Sequence, residues 1–167
     1  EDISDLPVFE RISNGIGYTF QITSIFVNLT VYENVALAIR KDNSNGEENS
    51  VSEVLSKVGL LDRIEQRSGD LSYGHQRLLE LAMGMAQKPK LLILDEPTQG
   101  LSDSEIENFK KLIKDISSSA TILLIEHNMD VVMSIADTIS VLHFGEIIAE
   151  GDKKTIQNDP IVQKAYL

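Results

Sequence analysis

Residues Leu91–Gly100 read LLILDEPTQG. Four branched apolar residues in succession predict a strand buried on both faces, as in a parallel sheet, and the run ends abruptly at two adjacent carboxylates. Asp95 and Glu96 are therefore expected at the carboxyl end of a core strand. Open α/β sheets bind ligands in the crevice beyond those ends, so the pair stands where a magnesium-bound phosphate would be held and attacked. Pro97 stops the strand before it runs on into that crevice. Alone, an Asp-Glu pair reads better as a strand end followed by helix-capping acids; its companions elsewhere in the chain overturn that.

The bulk numbers set the frame. A chain of 167 residues with 42% hydrophobic content can bury one sizeable core. A formal charge of −11, without clustered Lys and Arg, argues against a nucleic-acid partner, whose phosphates demand such clusters. With no cysteine there are no disulfides and no thiolate metal sites, which fits a reducing compartment without requiring one. No apolar run approaches the roughly 20 residues that a membrane span needs. No signal peptide is seen either.

Upstream of the central strand, Phe9 and Ile12 mark a short amphipathic turn, and Gly15 to Phe20 reads as a short strand ending at Gln21. Residues 22–29 are apolar but too irregular for a strand or helix. Thr30 and Glu33 form a capping box for a helix carrying Val31, Val35 and Ala38 on one face. After the polar surface connection 41–49, a second helix runs from about Ser50 to Val58 and closes at Gly59. Leu71-Ser-Tyr-Gly-His-Gln76 then opens a long helix to about Gln87. Its polar stripe at Arg77, Glu80, Gly84 and Gln87 leaves the rest apolar, so the helix is largely buried.

Downstream, Ser102 and Glu105 make a second capping box, followed by an apolar face of Ile106, Phe109, Leu112, Ile113 and Ile116. Thr121 to Ile125 reads as another buried strand, ending at Glu126-His127. A helix at about 129–136 leads to a hairpin of 138–143 with 146–150 across Phe144-Gly145. Asp159 and Pro160 start a closing helix to Tyr166. Strands separated by helices give an α/β domain, with the helices between Thr30 and Gln87 as a lobe.

Taken in series, the punctuation is a strand-end glutamine, a Ser-x-Gly at a helix start, an apolar strand ending in Asp-Glu, a Gly-Leu-Ser-Asp, and a strand ending in Glu-His. The series resembles the ATP-binding subunits of ABC transporters over nearly the whole chain: YTFQ resembles the Q-loop, LSYGHQ the signature, LLILDEP the Walker B motif, GLSD the D-loop, IEHN the switch histidine. IIAEG and NDPIVQKAYL look like the branched-chain amino-acid importer group and its urea and amide relatives. The signature departs from LSGGQ, with Tyr73 for a glycine and His75 for the glutamine.

The resemblance implies a P-loop NTPase-like core with a helical signature lobe: one partial domain over 1–167, with the lobe at about 30–88 inserted in an α/β core formed by 1–29 and 89–167. It implies ATP and Mg2+ as ligands. Asp95 would hold magnesium through its water shell, helped by Gln21, whose loop senses occupancy. Glu96 would orient and polarise the attacking water, and His127 would stabilise charge developing on the terminal phosphate. From residue type alone His127 also reads as an ordinary histidine at a helix start. Ser72 is first of all a helix cap worth ~1 kcal/mol. With Gly74 it also offers a hydroxyl, free N–H groups and a positive dipole end, which by resemblance meet the ATP held by an opposite subunit. Asp103 resembles the D-loop acid at the dimer interface, although an acidic first turn of a helix is nearly as good a reading.

No G-x-x-x-x-G-K-[ST] occurs in the 167 residues. In the family that Walker A loop precedes the Q-loop. The chain is therefore expected to lack the first strands and the phosphate-gripping loop, and to be inactive alone. The expected function is the nucleotide-binding subunit of an importer for branched-chain amino acids or a related small polar solute. It would pair with a second ABC ATPase subunit, and permease subunits would dock near Gln21, at the cytoplasmic face of the membrane. The main rival is a catalytically incompetent regulatory remnant using the same dimer surface. A chromosome-maintenance ATPase would need long coiled coils and a basic surface, and neither is present.

Overall fold

The computed structural model describes residues 2–19, 24–39 and 47–166. Gln21, Phe20 and residues 41–46 of the polar connection lie outside them. The chain forms two compact units, Glu1–Glu126 and His127–Leu167.

The first unit opens with helix α1 (Val8–Ser13), none of whose residues is buried, and with a short strand β1 (Ile16–Tyr18). Helix α2 (Val31–Ala38) starts at the expected capping box: Thr30 Oγ1 accepts the Glu33 N–H at 3.1 Å, and Glu33 Oε2 accepts the Thr30 N–H at 2.7 Å. Helix α3 (Glu47–Lys57) begins earlier than the expected Ser50. Gly59 closes it with φ +73°. Helix α4 (Tyr73–Ala86) packs against both α2 and α3, burying Val31, Val35, Val51, Leu55 and Leu79. Inside this helical group Asn34 is fully buried, and its amide nitrogen donates to Ser68 Oγ, Thr30 O and Phe26 O at 2.7, 2.9 and 3.1 Å. Its carbonyl accepts the Phe26 N–H at 2.8 Å, so one side chain ties the segment at Phe26 to these helices with no polar atom left over.

Strand β2 (Leu91–Asp95), helix α5 (Asp103–Ile116) and strand β3 (Thr121–Ile125) complete this unit. The three strands form a parallel sheet in the order β1-β2-β3, with Leu92 opposite Gly17 and Ile122, and Ile93 opposite Tyr18 and Leu123. Leu92 and Leu94 are completely buried; a Cβ on Gly84 would sit 3.3 Å from Leu92 Cδ1, so that glycine lets α4 lie close on the strand. Each such leucine is worth ~1.5–3 kcal/mol of transfer free energy.

Two expectations need correction. The strands are not buried on both faces: β2 alternates, and on β3 Leu123 and Ile125 are exposed, as is Tyr18 of β1 in the same row as Leu123. The helices cover the face that carries Gly17, Leu92 and Leu94, and a continuous apolar run does not reveal which face gets covered. The polar stripe of α4 is also not its wet side. Arg77 and Glu80 are buried with Gly84, and the two charges pair at 3.3 Å. Glu80 Oε1 also accepts the Ser24 N–H at 3.3 Å, and the Arg77 guanidinium lies 5.4 Å from the Tyr73 ring centre. Buried charges need partners of this kind.

The second unit contains helix α6 (Met129–Ile135), strands β4 (Ile139–His143) and β5 (Glu146–Gly151), and helices α7 (Lys153–Asn158) and α8 (Pro160–Tyr166). The strands pair as an antiparallel hairpin. Phe144 and Gly145 have φ +46° and +85°, the primed geometry that matches strand twist. Ile139, Ile156 and Val162 form its core, joined by Val132, Met133 and Val141. Helix α7 has no counterpart in the sequence reading. Asp152 caps it through the Thr155 N–H at 2.8 Å, and Ile156 is its single buried residue.

Candidate functional site

The end of β2 is where the sheet delivers its two carboxylates. Asp95 is half-buried, and its Oδ2 accepts the Tyr18 hydroxyl of β1 at 3.4 Å. Desolvation, followed by the charge of Asp95, raises the Tyr18 phenol above its ordinary range, so it stays a donor at neutral pH. At Glu96 the backbone turns sharply, with φ +46°. A residue with a Cβ pays roughly 1–3 kcal/mol for a sparsely populated conformation, and such conformations persist where the surroundings over-determine them. Here the Glu96 N–H donates to Ile125 O of β3 at 2.9 Å, and its carbonyl accepts the Gln99 N–H at 3.2 Å. Two residues on, buried Thr98 donates its N–H to Glu126 Oε1 at 3.0 Å and its hydroxyl to the same oxygen. Pro97 lies within this turn and closes the strand, as its missing N–H requires.

A second group gathers where the starts of α4 and α5 meet. Ser72 is the N-cap of α4, exposed, with Oγ accepting the His75 N–H at 3.3 Å and lying 2.8 Å from His75 Nδ1. Gly74 is buried because Glu105 of α5 leans on it: a Cβ there would be 2.8 Å from Glu105 Oε1. Tyr73 accounts for its departure from the usual glycine. Its ring packs on Gly100, where a Cβ would meet Tyr73 Cδ1 at 2.6 Å and where φ is +78°. Asp103 is the first residue of α5, exposed beside that turn. Ser72, Gly74 and Asp103 thus lie in one neighbourhood built from two helix starts. Glu105 holds the Ser102 N–H and hydroxyl on Oε2 at 2.8 and 2.7 Å. Those bonds, the hydroxyl first, together with the nearby His75, keep its carboxyl below the usual range against a smaller opposing desolvation.

His127 is exposed and opens the second unit, where Asn128 caps α6 through the Val131 N–H at 3.3 Å. Among the described residues no three His, Cys, Asp or Glu side chains converge on a point that could cage an ion. Magnesium does not ask for a cage: it takes one or two carboxylates and completes its shell with water and phosphate oxygens, a demand that Asp95 fits. Sequence reasoning missed Tyr18, Thr98, Glu105 and Glu126 as members of these groups. The clue for Glu126 was present, as a carboxylate ending a strand next to the strand of Asp95.

A family model described as ABC transporter matches residues 1–99. The chain is 36% identical, over its whole length and 73% of the relative, to the high-affinity branched-chain amino acid transport ATP-binding protein BraF of Pseudomonas aeruginosa. The chain belongs to the ABC transporter family of ATP-binding proteins. A second relative, the lipopolysaccharide export system ATP-binding protein LptB of Haemophilus influenzae, is 35% identical over the whole chain and 71% of that protein. The crystal structure of MJ1267, an ATP-binding cassette of an ABC transporter, superposes with a TM-score of 0.86 at 25% identity, covering all of this chain and 74% of that one. The fold is therefore the α/β ABC ATPase fold, present in part, and the family is one of ATP-hydrolysing transporter subunits. An amino-acid transport protein and a lipopolysaccharide exporter stand almost equally near, so identity alone does not choose the cargo. No helix among the described residues is long and apolar enough to cross a membrane.

Proposed function

We propose that this chain is the nucleotide-binding subunit of an ABC importer that couples ATP hydrolysis to uptake of branched-chain amino acids or a related small polar solute. The observation that carries the ATPase part is the placement of Asp95 and Glu96 at the carboxyl end of the middle strand of a parallel sheet, with the backbone of Glu96 turned out of the strand. Asp95, helped by Gln21, would hold magnesium through its water shell; Glu96 would orient and polarise the attacking water, and His127 would stabilise charge on the terminal phosphate. Ser72 and Gly74 serve the ATP of a second ABC subunit, and Asp103 lies at that interface. Residues 30–88 act as the signature lobe. Permease subunits dock beside it near Gln21, at the cytoplasmic face of the membrane.

Glu96→Gln removes the proton acceptor and keeps the shape. ATP turnover by the assembled transporter is expected to fall by about 100-fold or more, and undiminished turnover would sink the reading. The 167 residues by themselves contain no Walker A loop, so labelled ATP is expected to bind them only weakly; tight binding would refute that part. The similarity to LptB supports a second reading, an ATPase serving export. Uptake of labelled leucine by cells with and without the chain separates the two: loss of uptake on deletion supports the importer.

A further inference from the structure

Glu126 has no role in the assignments above, yet one oxygen of its carboxylate takes two donors from the turn at the end of the sheet. Its Oε1 takes both the N–H, at 3.0 Å, and the hydroxyl of Thr98, which is 6% exposed. Thr98 is the hinge of the turn after β2: its carbonyl accepts the Leu101 N–H at 3.2 Å, and Glu96, two residues earlier, is held by Ile125, the residue before Glu126. The left-handed backbone at Glu96 is thus pinned on one side by the main chain of β3 and on the other by a carboxylate one residue further along the same chain.

We infer that Glu126 is a positioning residue for the Glu96 carboxylate, acting by gripping Thr98 and so fixing the turn that carries Glu96. The inference rests on the reading of Glu96 as the carboxylate that orients the attacking water. Because one oxygen accepts two Thr98 donors, what matters is an acceptor in that place. An amide oxygen serves almost as well as a carboxylate, and a methyl group does not. Glu126 itself touches neither nucleotide nor water in this scheme.

Four variants in the assembled transporter test it, with turnover measured against ATP concentration. Glu126→Ala is expected to lower kcat by about 100-fold, as a misplaced reacting group does. KM for ATP should move by less than about threefold, because binding contacts are untouched. Thr98→Val should reproduce that split, while Glu126→Gln and Thr98→Ser, which keep acceptor and donor, recover most of the rate. In the 167-residue chain, amide exchange at Thr98 should quicken about tenfold or more in Glu126→Ala while the amides of β2 stay protected. Should Glu126→Ala fail to fold, Thr98→Val and Glu126→Gln still decide the matter. A kcat within twofold of the parent in Thr98→Val, a rise in KM alone, or unchanged exchange at Thr98 overturns the inference. Glu96→Gln assayed beside them separates the failures: if it retains turnover the reading of Glu96 falls, and if it abolishes turnover while Thr98→Val does not, only the role of Glu126 falls.

Discussion

Helices α4 and α5 both begin at a serine with a polar residue three positions later, Ser72 with His75 and Ser102 with Glu105, yet they use the same device to opposite ends. At α5 the third residue is a carboxylate that folds back onto the cap and takes both the N–H and the hydroxyl of Ser102, in a first turn that also contains Asp103. The positive end of that helix is satisfied from within. At α4 the first turn holds no acid and the third residue is an imidazole, although the two serines are alike in being exposed. The only carboxylate resting on that turn among the described contacts is borrowed: Glu105 of α5 presses on Gly74. A helix start that neutralises itself is a structural joint, and one that does not takes its negative charge from outside.

The sharpest way to break this contrast is Ser72→Ala. As a mere cap Ser72 is worth ~1 kcal/mol of stability. As a donor to a phosphate it is worth far more in rate, about 100-fold in turnover of the assembled transporter, by analogy with the removal of one preorganised donor. Thermal unfolding and ATPase assays on the same variant read the two effects separately. A small loss in both would reduce α4 to the same status as α5.

Which of these features could be read from the chain follows from the range of the interactions behind them. Short-range devices were legible: the caps at Thr30, Ser72 and Ser102, the closing Gly59, the Phe144-Gly145 turn, and the branched run that places Asp95 and Glu96 at a strand end. Each is decided by residues within a few positions of one another. The pairings that complete the site span longer stretches. Thr98 and Glu126 are 28 residues apart and Tyr18 and Asp95 are 77, so only the parallel register of β1, β2 and β3 brings them together. The burial of Arg77 and Glu80 and the exposure of Leu123 were misread for the same reason. Hydrophobic pattern states what a residue prefers, whereas partners elsewhere in the chain decide what it meets. Helix α7 escaped because one buried isoleucine makes no periodicity.

At α5 the expected effects are smaller and confined to stability. Ser102→Ala, which removes the hydroxyl that Glu105 accepts, should cost ~1 kcal/mol in thermal or denaturant unfolding, the ordinary worth of a cap.

Glu105→Gln is subtler, since glutamine at that position can still close a capping box. At neutral pH the loss should be a few tenths of a kcal/mol, from the helix dipole. The pH profile is the more telling readout. Glu105 has its folded pKa pulled below its ordinary 4.5 by Ser102, so its contribution is present in full above 4.5 and disappears as pH falls through the lowered value. The parent should therefore lose stability across that acid window more steeply than Glu105→Gln, and the two curves should converge below it. Parallel curves would mean that Glu105 keeps the same proton affinity folded and unfolded. The start of α5 would then not be self-neutralised, and its contrast with α4 would vanish.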